Sequence, residues 1–186
     1  MVELLEERKT IIQIVDINEM TKIKFIKPAY LGLASGSITC AYFFIFYAVE
    51  KQFFFNPLVF WGSFLILLSA FGAVVFQYQN QSFPFIIALR SFFLIFFLNS
   101  AFYNFFYFLM TNYIDVQLID IQYSVIKKGL ESNAILSGSE QQTAWKISKK
   151  ELADNLKAGT IFFSFMQGLP AGFMLSLLAS YIFKKD

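Results

Sequence analysis

Of the polar side chains within one long apolar run of this sequence, five are the best placed to bind a small molecule. They are Arg90, Asn99, Tyr103, Asn104 and Tyr107. Polar groups at membrane depth need hydrogen-bonding partners, either on a neighbouring helix or on a bound molecule. The run begins at Phe85, so the long Arg90 side chain can reach the membrane surface. The sequence therefore predicts hydrogen bonds between helices for these polar groups, which are also its best candidates for a polar pocket.

Residues that usually bind metals or transfer protons are scarce. The chain has no histidine and one cysteine, Cys40, which excludes internal disulfides and the common histidine and cysteine metal sites. No base lies near Cys40 to activate it, so we interpret it as a small packing residue. Paired carboxylates are missing from the apolar runs, and Asp115 with Asp154 is the one active-site pair worth testing. We expect no catalytic residue, no metal, no cofactor and no enzyme activity.

The composition is that of a membrane protein. Hydrophobic residues make up 57% of the chain and charged residues 15%, and the mean hydropathy is +0.57. These values lie outside the range of soluble globular domains. A net charge of +2 without a basic stripe argues against nucleic acid as a partner. The expected partners are the lipid bilayer and other membrane proteins, a second copy of this chain included.

Four apolar runs are long enough to cross a bilayer core of about 30 Å, which takes about 20 helical residues. They predict an all-α integral membrane protein with transmembrane helices over about 30–49, 58–77, 85–110 and 159–183. A proline stands at the start of three of them: Pro28, Pro57 and Pro84. The first turn of a helix tolerates the missing N–H of proline, so these residues mark helix starts.

Two of the predicted helices carry small residues at a spacing of four, which places them on one helix face. The first strip consists of Gly32, Gly36 and Cys40, and the second of Ser164, Gly168, Gly172, Ser176 and Ser180. Such strips let helix backbones approach closely in lipid, so we interpret both as helix-packing surfaces. Pro170 lies inside the second strip and is expected to kink that helix.

Two charged segments lie outside the predicted spans. Residues 1–27 form an N-terminal tail that we interpret as an amphipathic helix, with a strand over 11–17 as the alternative. Residues 28–186 form the four-helix domain, in which 111–158 are expected to make an extramembrane helical hairpin. The lysine and arginine residues near the spans favour both termini on the inside and the hairpin on the outside.

Several short motifs follow one another along the chain. They are Lys27-Pro28 before the GxxxG helix, Phe55-Asn56-Pro57, Phe83-Pro84-Phe85, the charged helical excursion after the third helix, and the run from Gly168 to Gly172 before Lys184-Lys185. Their order resembles that of the domain of unknown function family 4199 over about 26–186. The chain departs from the family pattern at 77–81 and in its longer tail. The resemblance implies a four-helix protein of the bacterial inner membrane and carries over no catalytic residues. In that membrane, the orientation expected from the lysine and arginine residues places the hairpin in the periplasm.

Two functions fit these features, and an enzyme is the least favoured third. The first is a non-enzymatic accessory or scaffold subunit of a larger membrane complex, because the strips and the hairpin offer contact surfaces. The alternative is a protein that binds or moves a small lipid or solute as an oligomer. A proline inside a helix motivates the alternative, because it leaves a backbone carbonyl free for a bound group.

Overall fold

The structure, a computed structural model, describes residues 27–79, 82–134 and 154–184. Four of its helices are long and apolar enough to cross a membrane. The predicted all-α fold with four membrane-spanning helices is therefore confirmed. The interpretation of the N-terminal tail as a helix or a strand falls on residues outside the described ranges.

The described residues form five main helices joined by turns. They are α1 (Lys27–Val49), a 3-10 turn (Lys51–Phe55), α2 (Pro57–Gln77), α3 (Phe85–Leu109), a π-helical turn (Met110–Ile114), α4 (Leu118–Ala134) and α5 (Ala158–Phe183). The four predicted spans correspond to α1, α2, α3 and α5, and their ends agree to within a few residues.

Proline and asparagine set two of the helix starts. Asn56 Oδ1 accepts a hydrogen bond from the Leu58 N–H at 2.8 Å, and Pro57 is the first residue of α2. Pro84 directly precedes α3, and its carbonyl accepts a hydrogen bond from the Ala88 N–H at 3.0 Å. The fixed φ and missing N–H of proline suit both positions, so local chemistry alone defines where these helices begin.

Helix α3 is central to the bundle. It packs against α2 and, more extensively, against α5, and the glycines of α1 lie against its Leu98 and Phe102. Successive spans run in opposite directions, so the 3-10 turn and the segment after α3 share one end of the bundle. We call this the hairpin end, and we call the opposite end, which carries the α2–α3 turn, the terminal end.

The helical backbone ends after the π-helical turn, before the first arm of the predicted extramembrane hairpin. The Asp115 N–H bonds the Met110 carbonyl at 2.9 Å, and Asp115 Oδ1 accepts from the Gln117 N–H at 3.1 Å. Such local bonding by an aspartate competes with helix continuation. Helix α4 begins at Leu118, which is buried, and packs against the 3-10 turn. The predicted second arm of the hairpin falls largely on 135–153, outside the described ranges.

Two clusters of buried side chains hold the helices together, one toward each end of the bundle. Toward the terminal end, Phe92 of α3 is fully buried among residues of α2, α5 and the α2–α3 turn. Toward the hairpin end the cluster is aromatic, with Phe54 stacked on Tyr107 at 5.7 Å and Phe43 lying 4.9 Å from Tyr103. Aromatic pairs at such distances add about 0.5–1.5 kcal/mol each. Between the two clusters the helices leave a cavity.

Candidate binding cavity

A cavity of about 260 Å³ lies between α1, α2, α3 and α5 and is partly open, because Phe60 and Ser164 in its lining are exposed. Its apolar walls are formed by Phe60, Phe64, Leu67, Phe96 and Phe165. Hydroxyl and carboxamide groups also line it, from Thr39, Ser63, Asn99, Ser100, Tyr103, Asn104 and Ser164. Apolar walls with a few polar groups are typical of small-molecule sites, which begin at about 300 Å³. The volume of this central cavity suits a small chemical group.

The described residues that line the central cavity are all uncharged. Of the five candidates from the sequence, the structure brings Asn99, Tyr103 and Asn104 to its wall. Arg90 is exposed on α3 and does not line it. Tyr107 lies outside it as well, and its hydroxyl donates to Gln122 Oε1 at 3.4 Å. An ion without a counter-charge costs several kcal/mol in a membrane, so this cavity fits an uncharged group.

Asn104 has a defined orientation at the cavity wall. Its Nδ2 donates to the Ser100 backbone carbonyl at 2.8 Å and approaches Ser100 Oγ at 3.5 Å. A backbone carbonyl can only accept, so the amide nitrogen must face it and Oδ1 must point away. Among the described residues no group donates to Asn104 Oδ1. Asn99 differs, because its Nδ2 donates to Thr39 Oγ1 of α1 at 3.1 Å. Asn104 thus offers an unused acceptor to a bound molecule.

The first small-residue strip lies on α3. A Cβ built on Gly32 would approach α3 to 3.0 Å, and one built on Gly36 would come within 2.8 Å of Phe102 Cβ. Cys40 continues the contact, with Sγ 3.6 Å from the Phe102 carbonyl oxygen. Close approach of this kind requires glycine or another small residue in lipid as in water. The strip is therefore occupied within the chain itself.

The second strip contacts α3 along its half nearest the terminal end. Gly172 lies so close to Phe96 that a Cβ built on the glycine would overlap the ring. Ser176 and Ser180 follow on the same face and are fully buried. Their hydroxyls donate to the backbone carbonyls one turn earlier in α5. Each polar group in this contact is thereby hydrogen-bonded, as burial in a membrane requires.

The other half of the second strip borders the central cavity. Ser164 and Gly168 both line it, and a Cβ built on Gly168 meets no atom within 4 Å. Pro170 lies between the two halves, inside the continuous helix α5. The strip that the sequence presented as one surface is thus a helix contact on one side of Pro170 and a cavity wall on the other.

An ion pair at the hairpin end was missed by the sequence analysis. Lys51 Nζ lies 2.5 Å from Asp115 Oδ2, which also accepts a hydrogen bond from the Tyr47 hydroxyl at 2.9 Å. Asp115 is buried, whereas Lys51 is 45% exposed. Bonding to Lys51 holds the pKa of Asp115 below its ordinary value, and the same bond raises the pKa of Lys51. In the sequence, Lys51 follows the first predicted span and Asp115 follows the third, which places both at the hairpin end. This shared position was the available indication of an ion pair.

The two carboxylates considered for catalysis have separate basic partners. Asp115 is paired with Lys51, and Asp154 Oδ1 lies 2.7 Å from Lys157 Nζ. In the ranges that the structure describes, no three cysteine, aspartate or glutamate side chains come together as a metal site. The binding chemistry of the described residues is therefore concentrated in the central cavity.

Comparison with known proteins gives a family and no closer relative. No curated protein and no solved structure matches the chain. A family profile described as Protein of unknown function (DUF4199) matches residues 30–185. The match covers far more than half of the chain and includes nearly all of the four membrane helices. The chain therefore belongs to the DUF4199 family of proteins of unknown function.

Proposed function

We propose that this protein binds a small, uncharged, lipid-soluble molecule inside the membrane and does not convert it chemically. The central cavity carries the proposal, because seven hydroxyl- or carboxamide-bearing side chains surround it. A polar group at membrane depth costs free energy unless it is hydrogen-bonded. A ligand in the central cavity can form hydrogen bonds with those polar groups of the lining that have donors or acceptors left unused by the protein.

The internal use of the small-residue strips supports binding over assembly. Gly32 and Gly36 face α3, and Gly172 faces Phe96. These were the surfaces that best fitted docking onto a larger partner. Because this chain already covers them, they supply no contact to another protein, and the argument for an accessory subunit loses its main support.

Filling the central cavity tests the proposal. Gly168→Leu adds a side chain at its wall, where a built Cβ has no neighbour within 4 Å. Gly72→Leu is the matched control, because Gly72 has equally open surroundings and is exposed on α2. Each full-length variant is purified in mild detergent, its thermal unfolding is measured, and its bound small molecules are identified by mass spectrometry.

We expect the wild type and Gly72→Leu to carry the same lipid-soluble molecule in equal amounts. Gly168→Leu should carry at least about tenfold less, because the new side chain removes the volume and the apolar contacts available to the ligand. Unchanged loading of a folded Gly168→Leu variant would rule out this cavity as the binding site.

An accessory subunit of a larger membrane complex is the second candidate, supported by an apolar patch at the hairpin end. Tyr113, Ile114 and Val116 lie at the end of the third span and just beyond it, and are 59–71% exposed. Exposed apolar groups at such a position fit a protein contact. A photo-crosslinking residue at Val116 should capture one neighbour that also co-purifies, whereas one at lipid-facing Leu65 should capture none. Lipid adducts alone at both positions would argue against this role.

The proposed location is the bacterial inner (cytoplasmic) membrane, with both termini in the cytoplasm and 111–158 in the periplasm. Lysine and arginine residues near the terminal end of the spans support this orientation. A reporter enzyme that folds only in the periplasm should be inactive when fused after Asp186 and active when inserted between 135 and 153. The opposite pattern would reverse the orientation.

A further inference from the structure

A second cavity of about 310 Å³ lies between α3 and α5, near the hairpin end. Its walls are apolar and half of the lining residues are phenylalanine, and of the described residues that line it Asn104 alone is polar. Phe105 and Phe162, one on each helix, are both 63% exposed. The cavity therefore opens on the lipid-facing surface, and we call it the lateral groove.

The lateral groove meets the central cavity at two shared residues, Asn104 and Phe165. The Phe165 ring packs 5.5 Å from Phe97 and 6.4 Å from Phe162, measured between ring centroids. Both of these neighbours are side chains, and a change of rotamer at Phe165 can open the boundary between the two spaces without moving the backbone. Asn104 lies at this boundary and lines both spaces.

The lateral groove lies within one leaflet of the bilayer. Ala158 begins α5, and Phe165 follows seven residues later, which corresponds to about 10 Å of helix. This is less than the thickness of a hydrocarbon leaflet, about 15 Å. A lipid chain in that leaflet can enter the groove sideways without leaving the hydrocarbon.

We infer that the lateral groove holds the hydrocarbon chain of a single-chain amphiphile, whose uncharged hydroxyl head enters the central cavity and donates to Asn104 Oδ1. The inference rests on the proposed binding function and names its ligand class, a long-chain alcohol or an equivalent neutral lipid. The head is a donor because the Asn104 amide nitrogen already bonds the Ser100 carbonyl. It is uncharged because none of the described residues lining either space carries a charge.

Photo-crosslinking tests the ligand class on the full-length protein in lipid nanodiscs. The probe is a long-chain alcohol with a diazirine in its chain, and the comparison is a fatty acid of the same length. The alcohol should label residues on both walls of the groove, and the acid should label them at least about tenfold less. Asn104→Leu should reduce labelling by the alcohol about fivefold, the equivalent of one neutral hydrogen bond.

Closing the groove tests the position of the chain. Ala101→Phe and Ala158→Phe each fill the groove from one wall, and neither residue lines the central cavity. Ala171→Phe, on an exposed face of α5, is the matched control. Both groove variants should lower labelling about tenfold, whereas the control should label as the wild type does. Two variants on different helices guard against misfolding of either one.

The possible results separate this inference from the proposed function. Loss of the bound molecule in Gly168→Leu, with wild-type labelling in both groove variants, would leave the central cavity as a binding site and overturn the chain position. A folded Gly168→Leu variant that keeps its ligand would remove the proposed function itself. Equal labelling by the acid and the alcohol would overturn the assignment of an uncharged hydroxyl head.

Discussion

Helices α1 and α5 both lie against α3 through small residues at a spacing of four. The α3 atoms nearest to the glycines differ between the two contacts. On α1, a Cβ built on Gly36 meets Phe102 Cβ at 2.8 Å and Asn99 Cα at 3.4 Å. On α5, a Cβ built on Gly172 would overlap the far edge of the Phe96 ring. The first neighbour is part of the backbone or bonded directly to it, and the second is the tip of a side chain.

This difference decides how each contact responds to change. A Cβ atom cannot move unless its helix moves, whereas a ring can turn where free space adjoins it. Phe96 also lines the central cavity, so such space is present. The α1–α3 contact is therefore rigid, and the α3–α5 contact is adaptable on the side where ligand binding is proposed. The spacing of the small residues is the same in both contacts. The α3 atoms that face each glycine therefore determine how the contact responds to an added side chain.

Gly36→Leu should have the largest effect, because it breaks the rigid contact. The added side chain has no space between α1 and α3, so we expect the free energy of unfolding to fall by about 1–3 kcal/mol. The measurement is thermal unfolding in mild detergent. Gly72→Leu gains the same helix propensity in open surroundings and should be at least as stable as the wild type. A Gly36→Leu variant of wild-type stability would mean that α1 does not pack on α3 at this residue.

Alanine substitutions test both contacts with the smallest side chain that carries a Cβ atom. We expect Gly36→Ala to cost about 1 kcal/mol and Gly172→Ala less, although the overlap built at Gly172 is deeper. The reason is that the Phe96 ring can turn toward the central cavity. Its new position should reduce ligand loading in Gly172→Ala, and an additional Phe96→Leu change should restore it. A larger loss of stability at Gly172 than at Gly36 would contradict this account.

Acid should weaken the α1–α3 contact selectively. Asp115 follows α3 and binds Tyr47 of α1 and Lys51, and its pKa lies below the ordinary value of about 3.9. A carboxylate with a lowered pKa stabilises the fold above about pH 4, and this contribution is lost as the pH falls through the lowered pKa. The midpoint of thermal unfolding should therefore fall less steeply below pH 4 in Asp115→Asn than in the wild type.

A hydrogen bond near the start of α5 provides the control for the pH dependence of thermal unfolding. Asn112 Nδ2 donates to the Leu156 carbonyl at 2.9 Å, and neither group titrates. Asn112→Ala should lower stability by about 1 kcal/mol at every pH. Curves of identical shape for the wild type and Asp115→Asn would show that Asp115 does not contribute to acid sensitivity.

The smallest effect is expected for the hydrogen bond that crosses the rigid contact. Asn99 Nδ2 donates to Thr39 Oγ1 at 3.1 Å. Hydrogen bonds between membrane helices contribute about 0.6 kcal/mol on average. A double-mutant cycle of Thr39→Val and Asn99→Leu should give a coupling energy of about that size. Additive single changes would indicate that the bond adds nothing to the packing of α1 on α3.

The candidate site could be predicted only in part. Asn99, Tyr103 and Asn104 stood out because polar residues are costly in an apolar run, and all three line the central cavity. Thr39 and Ser63 complete the wall from α1 and α2, but a single hydroxyl on a separate helix gives no local signal. Arg90 and Tyr107 are also polar residues in this apolar segment, but they lie outside the cavity. The segment does not specify which face of the helix meets the cavity.

The number, length and starting points of the membrane helices follow from local features of the sequence. Hydropathy determines where the spans lie, and the geometry of Pro57 and Pro84 determines where α2 and α3 start. Hydropathy and proline geometry are both properties of the local chain. The packing of Gly172 on Phe96, with Gly168 at the edge of a cavity, depends on how the helices are arranged in three dimensions. The rotation of each helix about its axis makes that choice. Lipid and protein interior are both apolar, so hydropathy cannot distinguish the lipid-facing side of a helix from its protein-facing side. Close packing against a particular neighbouring helix determines which side is which.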